Sequence, residues 1–259
     1  MARSYSDILE ENDGVGTGSY SFVYNVSPNI VVKTIRVQRT EKEKQKLQYP
    51  FHREIKFYQS LNKQQTRCLD IFQCFILPDH LFLSFCNLNN LCYRYIERQT
   101  RETLPDGFRG RLALEYIEKL GFSHNDVHPR NCLLDKDMNL KLSDFDCTTT
   151  IGQFLESSYA PWARLLPAGP LQGTYGLCGS RTEQSAVGTL LYYMVYGHEP
   201  YEDLDLKTQD PQELNRRYKD TEFPELDRHE VFDQLVLACW FNVYPTMALL
   251  AYDCKRKTP

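Results

Sequence analysis

The stretch Gly121–Thr149, "GFSHNDVHPRNCLLDKDMNLKLSDFDCTT", decides how this chain reads. Two short apolar runs, "NCLLD" and "LKLSDF", form a small hairpin with "KDMN" in its turn. Around that hairpin stand His124, Asp126, Asn131 and Asp144. Taken singly, aspartate and asparagine favour turns. As a set they supply a carboxylate, Asp126, able to accept a proton from an attacking hydroxyl, and two hard-oxygen groups, Asn131 and Asp144, suited to Mg²⁺.

On the N-terminal side of this stretch, "FRGRLALEYIEKLGF" has helical spacing, with Leu112, Tyr116 and Leu120 on one face and Gly121 as the C-cap. On its C-terminal side, "RTEQSAVGTLLYYMVYG" is an apolar helix that ends at Gly197, and the remainder is mixed and helical. The first third differs. "SFVYNVSPNIVVKTIRV" alternates like two strands around the turn Ser27-Pro28-Asn29. "TEKEKQKLQYPFHREIKFYQSLN" is a charged helix that Pro50 should break or restart, after which Ile55, Tyr58 and Leu61 share a face with Glu54 beside it. "CLDIFQCFILPDHLFLSFCNLNNL" holds a hairpin about Pro78-Asp79-His80, and "NLNN" reads as a linker. The pattern predicts an α+β fold of two lobes: a small antiparallel sheet with one main helix over residues 1–86, a hinge at Cys86 to Leu88, and a helical lobe over 87–259. A cleft between two such lobes is a natural ligand site.

Within the first lobe, "GTGSYSFV" opens a hairpin, and Gly16 and Gly18 let the backbone approach phosphates without a Cβ in the way. Val23 follows on the strand, where it can cover a flat base. Lys33 lies on a strand rich in valine and needs an anion, for which Glu54 on the helix is the candidate.

Composition narrows the classes. A net charge of -4 gives no support to a nucleic-acid partner. Nine cysteines without a CxxC pair or zinc spacing point to reduced thiols in a cytoplasmic or nuclear protein. The N-terminus carries no apolar signal region, and "GTLLYYMVYG" is too short to span a bilayer, so no membrane association is expected.

These four segments, in this order, resemble a protein kinase, and the nearest likeness is to divergent kinase-like proteins of filamentous fungi. The likeness runs from Gly16 to about Trp240 and is carried most specifically by the HxDxxxxN run from His124 to Asn131 and the Asp144-Phe145 pair. It implies ATP and Mg²⁺ as the ligands and a hydroxyl of a protein as the acceptor. Gly16 and Gly18 would cover the phosphates. Lys33, paired to Glu54, would hold them. Asp126 would be the catalytic base or orienting group, with Asn131 and Asp144 on the metal. Val23, Val31 and Leu133 would enclose the adenine, the backbone from Cys86 to Leu88 would bond its edge, and Phe85 would guard the back of the pocket.

The sequence also departs from that pattern. Ser21 replaces the third loop glycine, and Val31 the usual alanine. Asn125 replaces the arginine that meets a phosphorylated activation segment. His128 stands where a lysine steadies the transferring phosphoryl; it either does that work or caps the loop. Asp146 replaces the glycine of the DFG triplet. An Ala-Pro-Glu tripeptide and the arginine that pairs with it are not apparent, and Glu183 takes the place of an aspartate in the following helix. His128-Pro129 is reminiscent of small-molecule kinases. Two other functions therefore stand beside the protein kinase: a small-molecule kinase, and a pseudokinase that binds nucleotide or acts as a scaffold.

Overall fold

The computed structural model describes residues 14–36, 41–64, 68, 71, 74–86, 113–135, 137, 139–156, 158–202 and 211–257. Its first part is a five-stranded antiparallel sheet: β1 (Gly14–Thr17), β2 (Ser21–Ser27), β3 (Ile30–Ile35), β4 (Cys74–Leu77) and β5 (His80–Ser84), in the order β1-β2-β3-β5-β4. Both expected turns are present, and Asp79 takes a left-handed φ of 58° that aspartate tolerates better than most residues. Antiparallel partners share a face, so the pairing of Val23 with Lys33 puts both on one side of the sheet, with Val31 two residues from Lys33 on that side too.

Helix α1 runs unbroken over Glu41–Asn62 with Pro50 inside it, which corrects the expected break. Proline removes one ladder hydrogen bond, but tertiary burial outweighs that loss: Pro50 is itself buried, and Phe51, Glu54, Phe57 and Tyr58 beyond it are almost fully enclosed. The centre of the buried face thus lies on Phe51, Glu54, Phe57 and Tyr58, with Ile55 and Leu61 at its margin.

The second part begins with α2 (Leu114–Lys119), a helix closed off by Gly121 with φ 81°, as the C-cap reading requires. Its buried residues are Leu114 and Ile117, so Tyr116 and Leu120 flank the core face instead of defining it, and Leu112 lies outside the described residues. Short strands follow, β6 (Phe122–Ser123) paired with β9 (Thr149–Thr150), and β7 (Cys132–Leu134) with β8 (Leu140–Leu142). Among the described residues four more helices follow: α3 (Ser180–Tyr196), α4 (Pro211–Lys219), α5 (Glu230–Trp240) and α6 (Met247–Lys257).

One apolar cluster joins the two parts. Phe51, Phe57 and Tyr58 of α1 pack with Leu142, Phe145, Val127 and Ile117. The Phe145 ring stacks on Phe57 at 4.1 Å and meets Tyr58 edge-on at 5.4 Å and His124 at 4.9 Å. The helix that carries Glu54 is thereby seated on the loop that carries Asp144. A second cluster, Tyr192, Tyr196, Tyr218 and Trp240, fastens α3 to α4 and α5. There Gly188 is required by packing, because a Cβ would stand 2.8 Å from Cys239 Cβ and 2.9 Å from Trp240 Cδ1.

Candidate active site

Lys33 Nζ lies 2.6 Å from a Glu54 carboxylate oxygen and 2.5 Å from Asp144 Oδ1. Burial alone would depress the Lys33 pKa, but the Glu54 and Asp144 charges outweigh it and hold the ammonium well above its ordinary value. Burial pushes the Glu54 carboxyl up against the pull of Lys33. Three residues from the sheet, the helix and the loop after β8 thus meet at one point.

Asp144 reaches that point because its backbone is left-handed, φ 62° and ψ 71°, and because a 3₁₀ turn at Phe145–Cys147 plants Phe145 in the core. His124 is fully buried. Its Nε2 is 3.0 Å from the Ser143 carbonyl, so that nitrogen carries the proton and donates, while Nδ1 accepts from the Asp126 N–H at 3.2 Å. Glu183 on α3 anchors the same loop by accepting from the His124 and Asn125 backbone N–H groups at 3.1 and 2.9 Å.

The Asn131 side chain donates to Asp126 Oδ2 at 2.8 Å and to the Asp126 carbonyl at 2.9 Å, which leaves its amide oxygen turned to other use. Burial would raise the Asp126 pKa, but His128, His124 and Asn131 together hold it below the ordinary carboxylate range. His128 Nε2 lies 3.4 Å from Asp126 Oδ2, its Nδ1 accepts from the Arg130 N–H at 3.2 Å, and its ring stands against Trp162. The capping geometry is therefore present, and the ring's second nitrogen faces Asp126. Asp146 is buried beside Asp144, and burial together with that neighbouring charge raises its pKa.

The glycine loop turns where Gly18 N–H donates to the Ser21 carbonyl at 2.9 Å, and Gly16 pairs with Val23. Leu133 is half-buried on β7, while its neighbours Cys132 and Leu134 face the core. Cys86 is buried at the end of the sheet lobe, and burial, with the Asp135 charge adding to it, raises its thiol pKa. Leu88 and the linker lie outside the described residues. The lobe boundary expected after residue 86 falls at the edge of the same undescribed segment.

Beside Asp126 is a cavity of about 170 Å³ whose lining includes Tyr20, Arg53, Tyr159 and Trp162. None of these four was singled out in the sequence. Arg53 had a legible signal: it directly precedes Glu54 on one helix and so points away from it by about a quarter turn. Tyr20 sits just past Gly18 at the loop tip. Trp162 follows Ala160-Pro161, so the tripeptide sought in the sequence is present with tryptophan in place of its glutamate. The α5–α6 corner is tied to α3 through hydrogen bonds. Gln184 donates to the Tyr244 carbonyl at 2.8 Å and accepts from its N–H at 3.1 Å, and Tyr244 Oη donates to Asp253 at 2.6 Å.

Asn125, with φ 66°, donates to the Cys147 carbonyl at 3.1 Å and to Thr149 Oγ1 at 2.8 Å. The segment after Thr149 closes on itself through backbone bonds: Cys178 N–H to Gln153 O at 2.7 Å, Leu155 N–H to Gly176 O at 2.9 Å and Leu166 N–H to Thr174 O at 2.8 Å.

A family model described as "protein kinase domain" matches residues 9–241. The chain belongs to the protein kinase family. It is 28% identical over 212 residues to the maternal embryonic leucine zipper kinase of Xenopus laevis, covering 77% of this chain and 32% of that protein. It is 26% identical over 230 residues to the human NUAK family SNF1-like kinase 1, covering 83% and 33%. It is also 46% identical over 54 residues to the serine/threonine-protein kinase CBK1 of Yarrowia lipolytica, covering 21% and 9%. The chain spans about a third of the length of the first two relatives.

Proposed function

We propose that this chain transfers the γ-phosphoryl group of ATP, with Mg²⁺, to serine or threonine hydroxyls of protein substrates. The observation that carries the reading is the junction of Lys33, Glu54 and Asp144 beside an Asp126 held by Asn131. The acceptor type is the one named for the CBK1 relative.

The donor set fits the metal. Mg²⁺ keeps several waters and takes one or two protein oxygens, and the Asp144 carboxylate with the Asn131 amide oxygen supplies two hard ligands. When bound, the metal neutralises charge on the phosphate oxygens. Lys33, kept charged by its two carboxylates, holds the phosphates, and Glu54 fixes its direction. Gly16 and Gly18 bring loop backbone over the phosphates. Val23, Val31 and Leu133 enclose the adenine, and the chain from Cys86 to Leu88 bonds its edge. Asp126 is ionised, with Oδ2 engaged by Asn131 and Oδ1 left for the acceptor hydroxyl. Its depressed pKa makes it a weak base, so it chiefly orients the hydroxyl for in-line attack. A loose phosphoryl transfer needs little more, since positioning and electrostatics do most of the work. His128, against Trp162, keeps Asp126 in place.

The second reading is nucleotide binding without transfer. It is favoured by the contact of Lys33 with Asp144 Oδ1, which engages the metal carboxylate, and by the extra carboxylate of Asp146. Melting curves with ATP and Mg²⁺ test binding, and mass spectrometry of autophosphorylation tests transfer. Binding with transfer supports the first reading, and binding without transfer supports the second.

Eight cysteines among the described residues are free, which supports a reducing compartment, cytoplasm or nucleus. Among the described residues no helix is long and apolar enough to cross a membrane.

A further inference from the structure

The cavity of about 170 Å³ beside Asp126 has one cation among its described lining residues, Arg53. The two carboxylates of that lining are already engaged. Both Glu183 oxygens accept from the backbone N–H groups of His124 and Asn125, and Asp126 Oδ2 accepts from Asn131. Arg53 differs. Among the described residues no carboxylate pairs with it, and its guanidinium lies over the ring of Tyr49, one turn back on α1, at 5.0 Å. A ring face attracts a cation without neutralising it. Of the three guanidinium nitrogens, Nε alone is both enclosed and unbonded, so the two Nη groups are left to a ligand.

The remaining walls suit a side chain. Tyr20 comes from the glycine loop, and Tyr159 and Trp162 come from the segment before α3. A cavity of roughly 150 Å³ holds a benzene-sized group, so this one takes about one side chain. When Asp126 orients the acceptor hydroxyl, the side chain that meets Arg53 belongs to a residue next to the acceptor in the substrate.

We propose that Arg53 is a specificity-determining residue that selects acceptors with a carboxylate side chain, aspartate or glutamate, beside the serine or threonine. The proposal rests on the reading of Asp126 as the group that orients the acceptor hydroxyl. A guanidinium presents a planar fork of donors, and the two oxygens of a carboxylate fill it. A lysine in the same place would set two like charges in one small cavity, which rejects the wrong partner as well as selecting the right one.

The test uses the whole chain and three fluorescent peptides that differ only in the residues flanking one serine: aspartate, alanine or lysine. Anisotropy gives each Kd. The aspartate peptide should bind wild type about tenfold more tightly than the alanine peptide, between what exposed and desolvated ion pairs contribute. Arg53→Gln should bind the two alike, and Arg53→Glu should favour the lysine peptide. A wild type that binds all three alike or prefers lysine, or an aspartate preference kept by Arg53→Gln, overturns the proposal. Should the variants fail to fold, labelling of wild-type arginines with phenylglyoxal decides. The aspartate peptide should protect Arg53 and the alanine peptide should not; equal labelling under both overturns the proposal. Transfer of label from ATP to the same peptides reports on the proposed function separately. An aspartate preference in binding without transfer supports the Arg53 subsite and removes phosphoryl transfer. Transfer without that preference overturns the subsite and leaves phosphoryl transfer in place.

Discussion

The two sides of the cleft have kept their charge in different ways. On the proposed phosphate side, Lys33, Glu54, Asp126, Asn131 and Asp144 converge from a strand, a helix and two loops, with Lys33 within 2.6 Å of both Glu54 and Asp144. On the acceptor side, Trp162 stands where a carboxylate was sought, and the corner around Tyr244 is tied by the Gln184 amide. A structural ion pair can be exchanged for neutral groups of similar shape at little cost, provided that both charges leave together. Groups that face phosphates and a metal have no neutral substitute. Under the proposed function, the contrast separates charge that serves packing from charge that serves a ligand.

The largest effect that would break the contrast belongs to Lys33. Lys33→Ala should lower the rate of transfer from ATP on the order of 10²–10³-fold, the usual cost of losing one preorganised electrostatic group. Steady-state assays with labelled ATP measure it, and an unchanged rate would remove the functional side of the comparison. Next is Gly188 on the packing side. Gly188→Val forces side-chain atoms against Cys239 and Trp240 and should cost about 3 kcal/mol in denaturant unfolding.

Asn125 sharpens the boundary between the two sides. It binds Cys147 O and Thr149 Oγ1 directly where an arginine would meet a phosphate. Asn125→Ala should lower stability by about 1 kcal/mol, measured by thermal unfolding. Phosphatase treatment of the wild type should leave activity unchanged, because the segment is closed by its own backbone bonds. A loss of activity on dephosphorylation would show that a phosphate still orders it.

The smallest effect is in pH. The Asp126 pKa is lower in the folded chain than in the unfolded one, so the folded state binds fewer protons there. That contribution is present above the ordinary carboxylate range and is lost as pH falls through the lowered pKa. Asn131→Ala removes one of the bonds that depress it and should shift the acid limb of the stability profile to higher pH. Coincident profiles would mean that Asn131 does not act on Asp126.

Much of this was legible because it is local. Alternation gave β2 and β3, Gly121 and Gly197 marked helix ends, and the spacing of His124, Asp126, Asn131 and Asp144 marked one site. What was not legible depends on contacts distant in sequence. Pro50 stays inside α1 because Phe51, Phe57 and Tyr58 are held by Phe145, far along the chain. Trp162 and Tyr20 line one cavity only after the loops that bear them fold toward Asp126.

The central claim is that the phosphate side is assembled for transfer and not for binding alone. Transfer of label from γ-labelled ATP to the chain itself and to a serine-containing protein acceptor, with Asp126→Asn alongside, tests it most directly. The account expects incorporation by the wild type, with loss in Asp126→Asn while ATP and Mg²⁺ still raise the melting temperature of both proteins. Equal incorporation by the two, or none by a wild type that binds ATP and Mg²⁺, would contradict it.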